Sequence, residues 1–346
     1  MGKLTAVCIV VLLGSVISDG DLDLWDAAKN GNLSDVYQAL AAEANPNWRN
    51  LDYYEDEEKK WVKRKWTSLH VASRYNHPSV VSALIDAGAN TELEDRSDFT
   101  PIFVASEYGS KDAVTKLIEC GVDPNVKVPA TGRTPLHIAA SYNQPLSISA
   151  LLDEGADINI QDDWLYTPIN LASESGSTEA VNILLRRGAD IHIVRDLANY
   201  SIISGASPLM SAAYQGHVST VEALVDAHAN VNQVSGNGMT ALHYAAGKNQ
   251  DTKNRTDIAL LLLQKGAYPR QQDNEGMTPA DVARYMGNKD LANIIDNFTG
   301  ATAPLTPPNT GLTVQLTKFT TTNYDFYLLG FGVLVLITET LFSVLF

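Results

Sequence analysis

The chain has 346 residues, of which 40 are acidic and 25 basic, so its net charge is −15. This balance argues against a protein that follows a nucleic-acid backbone, because such proteins need a basic stripe. The basic run at 59–65 follows four acidic residues at 55–58, which cancel most of its field. Strong acidity keeps a protein soluble and favours basic partners.

Residues 1–18 have the pattern of a secretory signal peptide. Lys3 is followed by an apolar run from Leu4 to Leu13 and by a small-residue exit near Ser18. The run is shorter than a membrane span, which favours a cleaved signal over an uncleaved anchor. We therefore expect the secretory pathway, with the protein secreted or on the extracellular face of the cell surface.

A short motif then recurs through most of the chain. Its clearest copy is Thr134-Pro135-Leu136-His137, and further copies start at Thr67, Thr100, Thr167, Ser207, Thr240 and Thr278. The starts are 33, 34, 33, 40, 33 and 38 residues apart. A period near 33 residues indicates a repeat architecture in which each unit must stack on its neighbours to bury its apolar side.

Each unit predicts two short helices. Thr134 is a suitable N-cap and Pro135 suits the first helical position, where its missing N–H costs nothing. A second helix starts at Pro145 and ends at Gly155, which tolerates the left-handed conformation.

These units resemble the ankyrin repeat, whose pattern joins Thr-Pro-Leu-His to Gly-His and Gly-Ala steps. The resemblance implies an all-α repeat solenoid, an ankyrin stack of helix-turn-helix units joined by β-hairpin loops. Seven copies and an atypical first unit at Leu22 to Gly31 place about eight repeats, including caps, in 19–299. It also implies that His70, His137 and His243 brace the Thr cap and the neighbouring loop.

Three insertions interrupt the period, and we expect all three to be loops. The first, at 48–66, is either an elongated hairpin with opposite charges across its strands or a helix, and either a recognition arm or a cover for the first core face. The second precedes Ser207, and the third lies around Asn249 to Arg255. Glycosylation acceptors occur at Asn32, Asn199, Asn254 and Asn297, two of them inside insertions.

The C-terminal part changes in composition. Residues 300–323 are rich in Thr and Pro and predict a stalk. Residues 324–346 form a hydrophobic tail, which is a transmembrane helix, a glycolipid (GPI) anchor signal, or a helix that packs on protein. The first two alternatives tether the protein to a membrane.

No pattern of catalytic, metal-binding or cofactor-binding residues is present, so we expect no enzyme, no metal and no cofactor. The acidic pair Asp162-Asp163 is expected to lie exposed at a hairpin tip with ordinary pKa values. Cys120 is the one cysteine after the signal peptide, and either an unpaired thiol or a link to another chain is open.

The predicted binding residues are mainly aromatic. Tyr75, Tyr108 and Tyr142 each lie eight residues after the start of consecutive repeats, and Tyr214 lies one residue off this register. We expect these rings to line the concave face, flanked by the polar residues Arg74 and Glu107. Hairpin tips carrying Phe99, Trp164 and Tyr166 are the second candidate surface.

The sequence thus predicts a non-catalytic, secreted or membrane-tethered module that binds a protein partner through the concave face and hairpin tips. The alternative is a membrane-acting, toxin-like protein or effector whose stack targets cells and whose C-terminal tail inserts.

Overall fold

The computed structural model describes residues 19–50, 54–55, 61–62, 64–194, 205–247 and 252–299. These residues belong to one of two compact units, Met1–Ala303, and the other unit, Pro304–Phe346, lies outside them. The predicted signal peptide (1–18), stalk (300–323) and hydrophobic tail (324–346) also lie outside the described ranges. Within those ranges, no helix combines the length and the apolar character needed to cross a membrane.

Eight helix pairs follow one another along the described chain, in agreement with the predicted all-α repeat solenoid. The first helices of the pairs are α1 (Asp19–Asn30), α3 (Ser68–Arg74), α5 (Pro101–Glu107), α7 (Pro135–Ser141), α9 (Pro168–Ser175), α11 (Pro208–Gln215), α13 (Ala241–Ala246) and α15 (Pro279–Tyr285). The second helices are α2 (Leu33–Ala41), α4 (Pro78–Asp86), α6 (Lys111–Glu119), α8 (Pro145–Asp153), α10 (Thr178–Arg186), α12 (Val218–Asp226), α14 (Thr252–Gln264) and α16 (Lys289–Asp296).

The helices begin and end where the sequence predicts. Thr134 is the N-cap of α7 with Pro135 at the first helical position, and Gly155 has a φ of 89° after α8. Each first helix packs on the first helix of the next repeat, as α3 does on α5 and α5 on α7. Side chains such as Leu136 are fully buried between repeats, so the core is continuous along the stack.

The histidine brace predicted from the family resemblance is present in three repeats. In the first, the Thr67 backbone N–H donates to His70 Nδ1 at 3.3 Å, so the opposite nitrogen, Nε2, is protonated and donates to the Phe99 carbonyl at 3.1 Å. His137 Nε2 donates to the Tyr166 carbonyl at 2.8 Å, and His243 Nε2 to the Met277 carbonyl at 3.1 Å. Each imidazole therefore ties a helix start to the hairpin of the following repeat.

A second set of bonds joins the far ends of the first helices to the next repeat. In six of the second helices, a side chain at or near the helix start donates to a backbone carbonyl at the end of the first helix of the preceding repeat. The donor and acceptor pairs are His77 to Lys29 (3.0 Å), Ser110 to Arg74 (2.6 Å), Gln144 to Glu107 (2.8 Å), Ser177 to Ser141 (3.0 Å), His217 to Glu174 (3.0 Å) and Arg255 to Tyr214 (2.7 Å).

The structure forms a hairpin in the first insertion, one of the two alternatives left open by the sequence. Strand β1 (Tyr54–Glu55) pairs antiparallel with β2 (Trp61–Val62), and Asn50 bridges to Trp66 closer to the repeats. The predicted charge pairing across the strands concerns side chains outside the described set.

The prediction that all insertions are loops is wrong for the third one. Its last residues, from Thr252 to Arg255, form the first turn of α14, which has 13 residues where α12 has nine. The reason is Arg255, which is buried and reaches the carbonyls of Tyr214 and Ala245 from within the helix. Loss of helical geometry there would withdraw the guanidinium from both acceptors.

Candidate protein-binding surface

The predicted tyrosines occupy equivalent structural positions. Tyr75, Tyr108 and Tyr142 are the C-cap residues of α3, α5 and α7, with φ between −86° and −98°. Tyr75 and Tyr108 are half-buried, whereas Tyr142 is 43% exposed. In the five repeats that start at Thr67, Thr100, Thr134, Thr167 and Ser207, we call the residues seven and eight places after the start the helix-end row. They are Arg74 and Tyr75, Glu107 and Tyr108, Ser141 and Tyr142, Glu174 and Ser175, and Tyr214 and Gln215.

The backbone of this row is held in place by the side-chain-to-carbonyl bonds between repeats. Five of the six carbonyls that accept those bonds belong to the first member of a row pair. A row fixed in this way presents its side chains to a partner with little further loss of conformational entropy.

Arg74 lies among aromatic rings instead of projecting from the row. Its guanidinium carbon is 4.2 Å from the centroid of the Tyr108 ring, 5.3 Å from that of Tyr75 and 5.6 Å from that of Trp66. Arg74 is buried, so these cation–π contacts form in a partly dry environment, where they are strongest. The arginine thus joins two repeats and does not extend into solvent as a flanking polar group.

Glu107 is also buried, next to a second arginine. Arg64 Nη2 lies 3.7 Å from Glu107 Oε1, and Arg64 Nη1 lies 3.8 Å from Asp95 Oδ2. Burial raises the pKa of the Glu107 carboxyl, and the charge of Asp95 adds to this, whereas the charges of Arg64 and Arg74 and the Tyr142 hydroxyl oppose it. The positive charges of Arg64 and Arg74 therefore balance the negative charges of Glu107 and Asp95 in this cluster.

Trp66 completes this cluster and was not predicted as part of the site. It is 2% exposed, its indole Nε1–H donates to Asp95 Oδ2 at 2.9 Å, and its ring meets Tyr108 edge-on with centroids 6.3 Å apart. Trp66 is the last residue of the first insertion. Its burial against Tyr108 favours the alternative in which this insertion covers the first core face. Its position directly before a repeat start, Thr67, was the available sequence signal.

The row is more open after Tyr142. Ser141 Oγ and Ser175 Oγ are 3.2 Å apart, which places the ends of α7 and α9 side by side. Tyr214 is half-buried and meets Tyr244 edge-on, with ring centroids 6.0 Å apart and an interplanar angle of 88°. Burial raises the pKa of the Tyr214 phenol.

Among the predicted hairpin tips, the one at 162–166 carries an exposed aromatic ring. Trp164 is 42% exposed, and Arg133 of the preceding hairpin lies 5.6 Å from its ring centroid. Leu165 follows with a φ of 62°, a conformation that costs a residue with a Cβ about 1 kcal/mol. Lys65 and Asp98 have the same conformation two residues before their repeat starts, so it belongs to the turn of the hairpin.

The acidic pair at this tip departs from the prediction. Asp162 is 3% exposed, because its Oδ1 accepts the backbone N–H groups of Trp164 and Tyr166, both at 2.9 Å, and its Oδ2 accepts from Arg133. Burial raises the pKa of the Asp162 carboxyl, although these bonds oppose the shift. Only Asp163 of the pair is exposed.

The other two predicted tip residues contribute mainly to packing. Phe99 is half-buried and stacks on Phe103, with ring centroids 5.5 Å apart. Tyr166 is half-buried, and its carbonyl accepts the His137 bond.

The predicted modification sites lie in different surroundings. Asn32 caps α2 and is exposed, and Asn297 is exposed at the end of α16. Asn254 is half-buried in the first turn of α14, and Asn199 lies outside the described residues. Cys120 is a free, exposed thiol at the end of α6. In the part of the chain that is described, no three His, Cys, Asp or Glu residues are grouped so as to hold a metal ion.

Comparison with known families agrees with this architecture. A family model described as three ankyrin repeats matches residues 24–128, 120–195, 192–273 and 209–301. The chain is 36% identical over 92 residues to the ankyrin repeat protein YahD of Escherichia coli, covering 26% of this chain and 46% of that protein. It is 38% identical over 79 residues to human neurogenic locus notch homolog protein 1, covering 23% of this chain and 3% of that protein.

A solved structure shows the same fold. The crystal structure of the human ASB11 ankyrin repeat domain superposes with a TM-score of 0.56 and 23% sequence identity, covering 66% of this chain and 98% of that domain. The chain spans about half of the length of the bacterial relative and a small part of the human one. The similarity therefore concerns the repeats and not the whole of either relative.

Proposed function

Because the chain belongs to the ankyrin repeat family, we propose that it is a non-catalytic binding module that holds a protein partner along the helix-end row and the exposed hairpin tip. The repeat fold itself is that of a protein-interaction module. The proposal adds which surface is used and where in the cell it acts.

One observation carries the choice of surface, namely that two large aromatic side chains are exposed near opposite ends of the same helix, α7. Trp164 lies over Arg133, next to the start of α7, and Tyr142 ends the same helix. Seven helical residues at 1.5 Å each separate these ends by about 10 Å. Exposed Trp and Tyr are the side chains most often found in binding hot spots, since they bury a large area at low entropic cost.

The test is a pair of variants, Tyr142→Ala and Trp164→Ala, measured by calorimetry against a partner identified with the wild-type protein. We expect each to weaken binding about tenfold or more, as truncated hot-spot aromatics do. Tyr37→Ala is the matched control, because Tyr37 is 56% exposed but lies on the second helix α2. Equal affinity of the Tyr142 and Trp164 variants and the wild type would refute the choice of surface.

We further propose that the module acts outside the cell, secreted or tethered to a membrane. The support is the signal-like segment 1–18, the Thr- and Pro-rich stretch 300–323 and the hydrophobic tail 324–346. Mass spectrometry of the purified protein tests this through the mature N-terminus, the persistence of the tail and the sugars on Asn32 and Asn297. A cytoplasmic protein with an intact N-terminus and no sugar would contradict it.

A further inference from the structure

The helix-end row contains the same acidic position twice, with different surroundings. Glu107 and Glu174 both lie seven residues after their repeat starts, Thr100 and Thr167. Their backbones are fixed alike, since each carbonyl accepts a hydrogen bond from the next repeat, from Gln144 at 2.8 Å and from His217 at 3.0 Å. The comparison of these two positions shows what the second one lacks.

At Glu107 the chain supplies its own basic side chains. Arg64 lies 3.7 Å from the carboxylate, and Arg74, at the equivalent position of the preceding repeat, stacks 4.2 Å from the ring of Tyr108. A carboxylate, stacked aromatic rings and a guanidinium form one buried unit there. Such a combination joins a charge-assisted contact to cation–π contacts.

At Glu174 the carboxylate is present and Tyr142 takes the place of Tyr75, but Ser175 replaces Tyr108 and the basic side chain is missing. The preceding repeat places Ser141 where Glu107 has Arg74. Among the residues described, the Glu174 side chain makes no hydrogen bond and no ion pair, and it is half-exposed. Tyr214 of the next repeat feels the Glu174 charge, and the bond between Ser141 and Ser175 places the end of α7 beside the end of α9.

We propose that Glu174, beside Tyr214 on the helix-end row, is the subsite for a basic side chain of the protein partner, with arginine preferred. This proposal rests on the proposed function and names the chemistry of its partner. Arginine fits better than lysine, because its planar guanidinium can bond a carboxylate through two N–H groups and stack on a tyrosine ring. The net charge of −15 favours the approach of a basic segment.

The experiment is a peptide-display selection with the full-length protein, using six randomised residues between glycines as the probe. We expect arginine to be enriched at one position of the selected peptides. Calorimetry on the best peptide should show about tenfold weaker binding to Glu174→Gln, and a similar loss when its arginine is replaced by citrulline. Because both changes remove the same contact, combining them should add little to either loss.

The control variant is Glu179→Gln, an exposed acid in the first turn of the second helix α10, which should bind within twofold of the wild type. Glu174→Gln should melt at the wild-type temperature, since its carboxylate has no partner to lose among the described residues.

Two outcomes would overturn the proposal, and they differ in what they leave standing. Peptides that lose affinity with Tyr142→Ala but show no basic preference and no response to Glu174→Gln would refute this subsite alone. If the selected peptides bind the Tyr142, Trp164 and Glu174 variants as tightly as the wild type, the proposed binding surface is refuted as well. The same holds if the selection returns no peptide.

Discussion

The histidine braces predict that the stack loses stability in mild acid. Burial lowers the pKa of His70 and of His137 to about 4, from the ordinary 6.5, while the bonds to the Phe99 and Tyr166 carbonyls oppose this shift. Between pH 6.5 and 4, these histidines are therefore protonated in the unfolded chain but largely neutral in the folded chain. The stability that each neutral histidine contributes is complete above pH 6.5 and is lost as the pH falls towards 4.

The magnitude follows from these two pKa values. At pH 5, protonation of the unfolded chain costs about 2 kcal/mol of folding free energy for each such histidine, or about 4 kcal/mol for the pair. Buried carboxyls with raised pKa values, such as that of Glu107, act in the opposite direction, because acid favours their neutral form. The pH dependence of the unfolding free energy therefore contains both effects, and a variant is needed to isolate the contribution of one histidine.

His137→Asn isolates one histidine. Asn170 already fills the equivalent place in the next repeat, where its side chain caps Thr167 but its Nδ2 has no partner within the described structure. We expect His137→Asn to lower stability at pH 7.5 by about 1–2 kcal/mol through the lost bond to Tyr166. Between pH 7.5 and 5 it should then lose about 2 kcal/mol less than the wild type.

The assay is urea unfolding followed by circular dichroism at pH 7.5, 6 and 5. His192→Asn is the control, since His192 is exposed and takes no part in a brace. If His137→Asn and the wild type lose stability in parallel on acidification, the brace does not hold a neutral imidazole, and the reasoning fails.

Two further substitutions test the strained tip and the buried arginine. Leu165→Gly should raise the unfolding free energy by about 1 kcal/mol in urea titrations, because glycine adopts the left-handed conformation without strain; a destabilised variant would show that the leucine side chain contributes more than its strain costs. Arg255→Met should lower the thermal midpoint and cost about 3 kcal/mol or more, since it removes the donor to the Tyr214 and Ala245 carbonyls; an unchanged midpoint would contradict that role.

The repeat pattern was enough to predict most of the fold. Spacing near 33 residues, a Thr cap and a following Pro specify where helices such as α7 begin, because these residues act through their own backbone geometry. Equivalent positions in successive repeats are also neighbours in space, so the alignment of Tyr75, Tyr108 and Tyr142 followed from counting. Both kinds of information are local or periodic.

The surroundings of the site could not be predicted in the same way. Arg64, Trp66 and Asp95 come together across two hairpins, and nothing in the repeat period fixes which side chain of an irregular insertion returns to the core. For this reason the sequence predicts Arg74 and Glu107 only as polar residues that flank the tyrosine rings, whereas both are buried. The predicted exposure of Asp162 is wrong because its carboxylate accepts hydrogen bonds from two backbone N–H groups of its own turn. The hydrophilic character of the residue alone does not reveal such a turn.

The contrast between the two halves of the helix-end row bears on where recognition occurs. In the early repeats, Trp66 and Arg64 pack against residues of the row, and the opposite charges are balanced within the chain. A partner would have to displace these buried contacts to bind there, and breaking a buried ion pair costs several kcal/mol. From Tyr142 to Tyr214 no such cover exists among the described residues, so a partner gains the same kinds of contact without that cost. Under the proposed function, we therefore expect the partner to bind at the middle repeats.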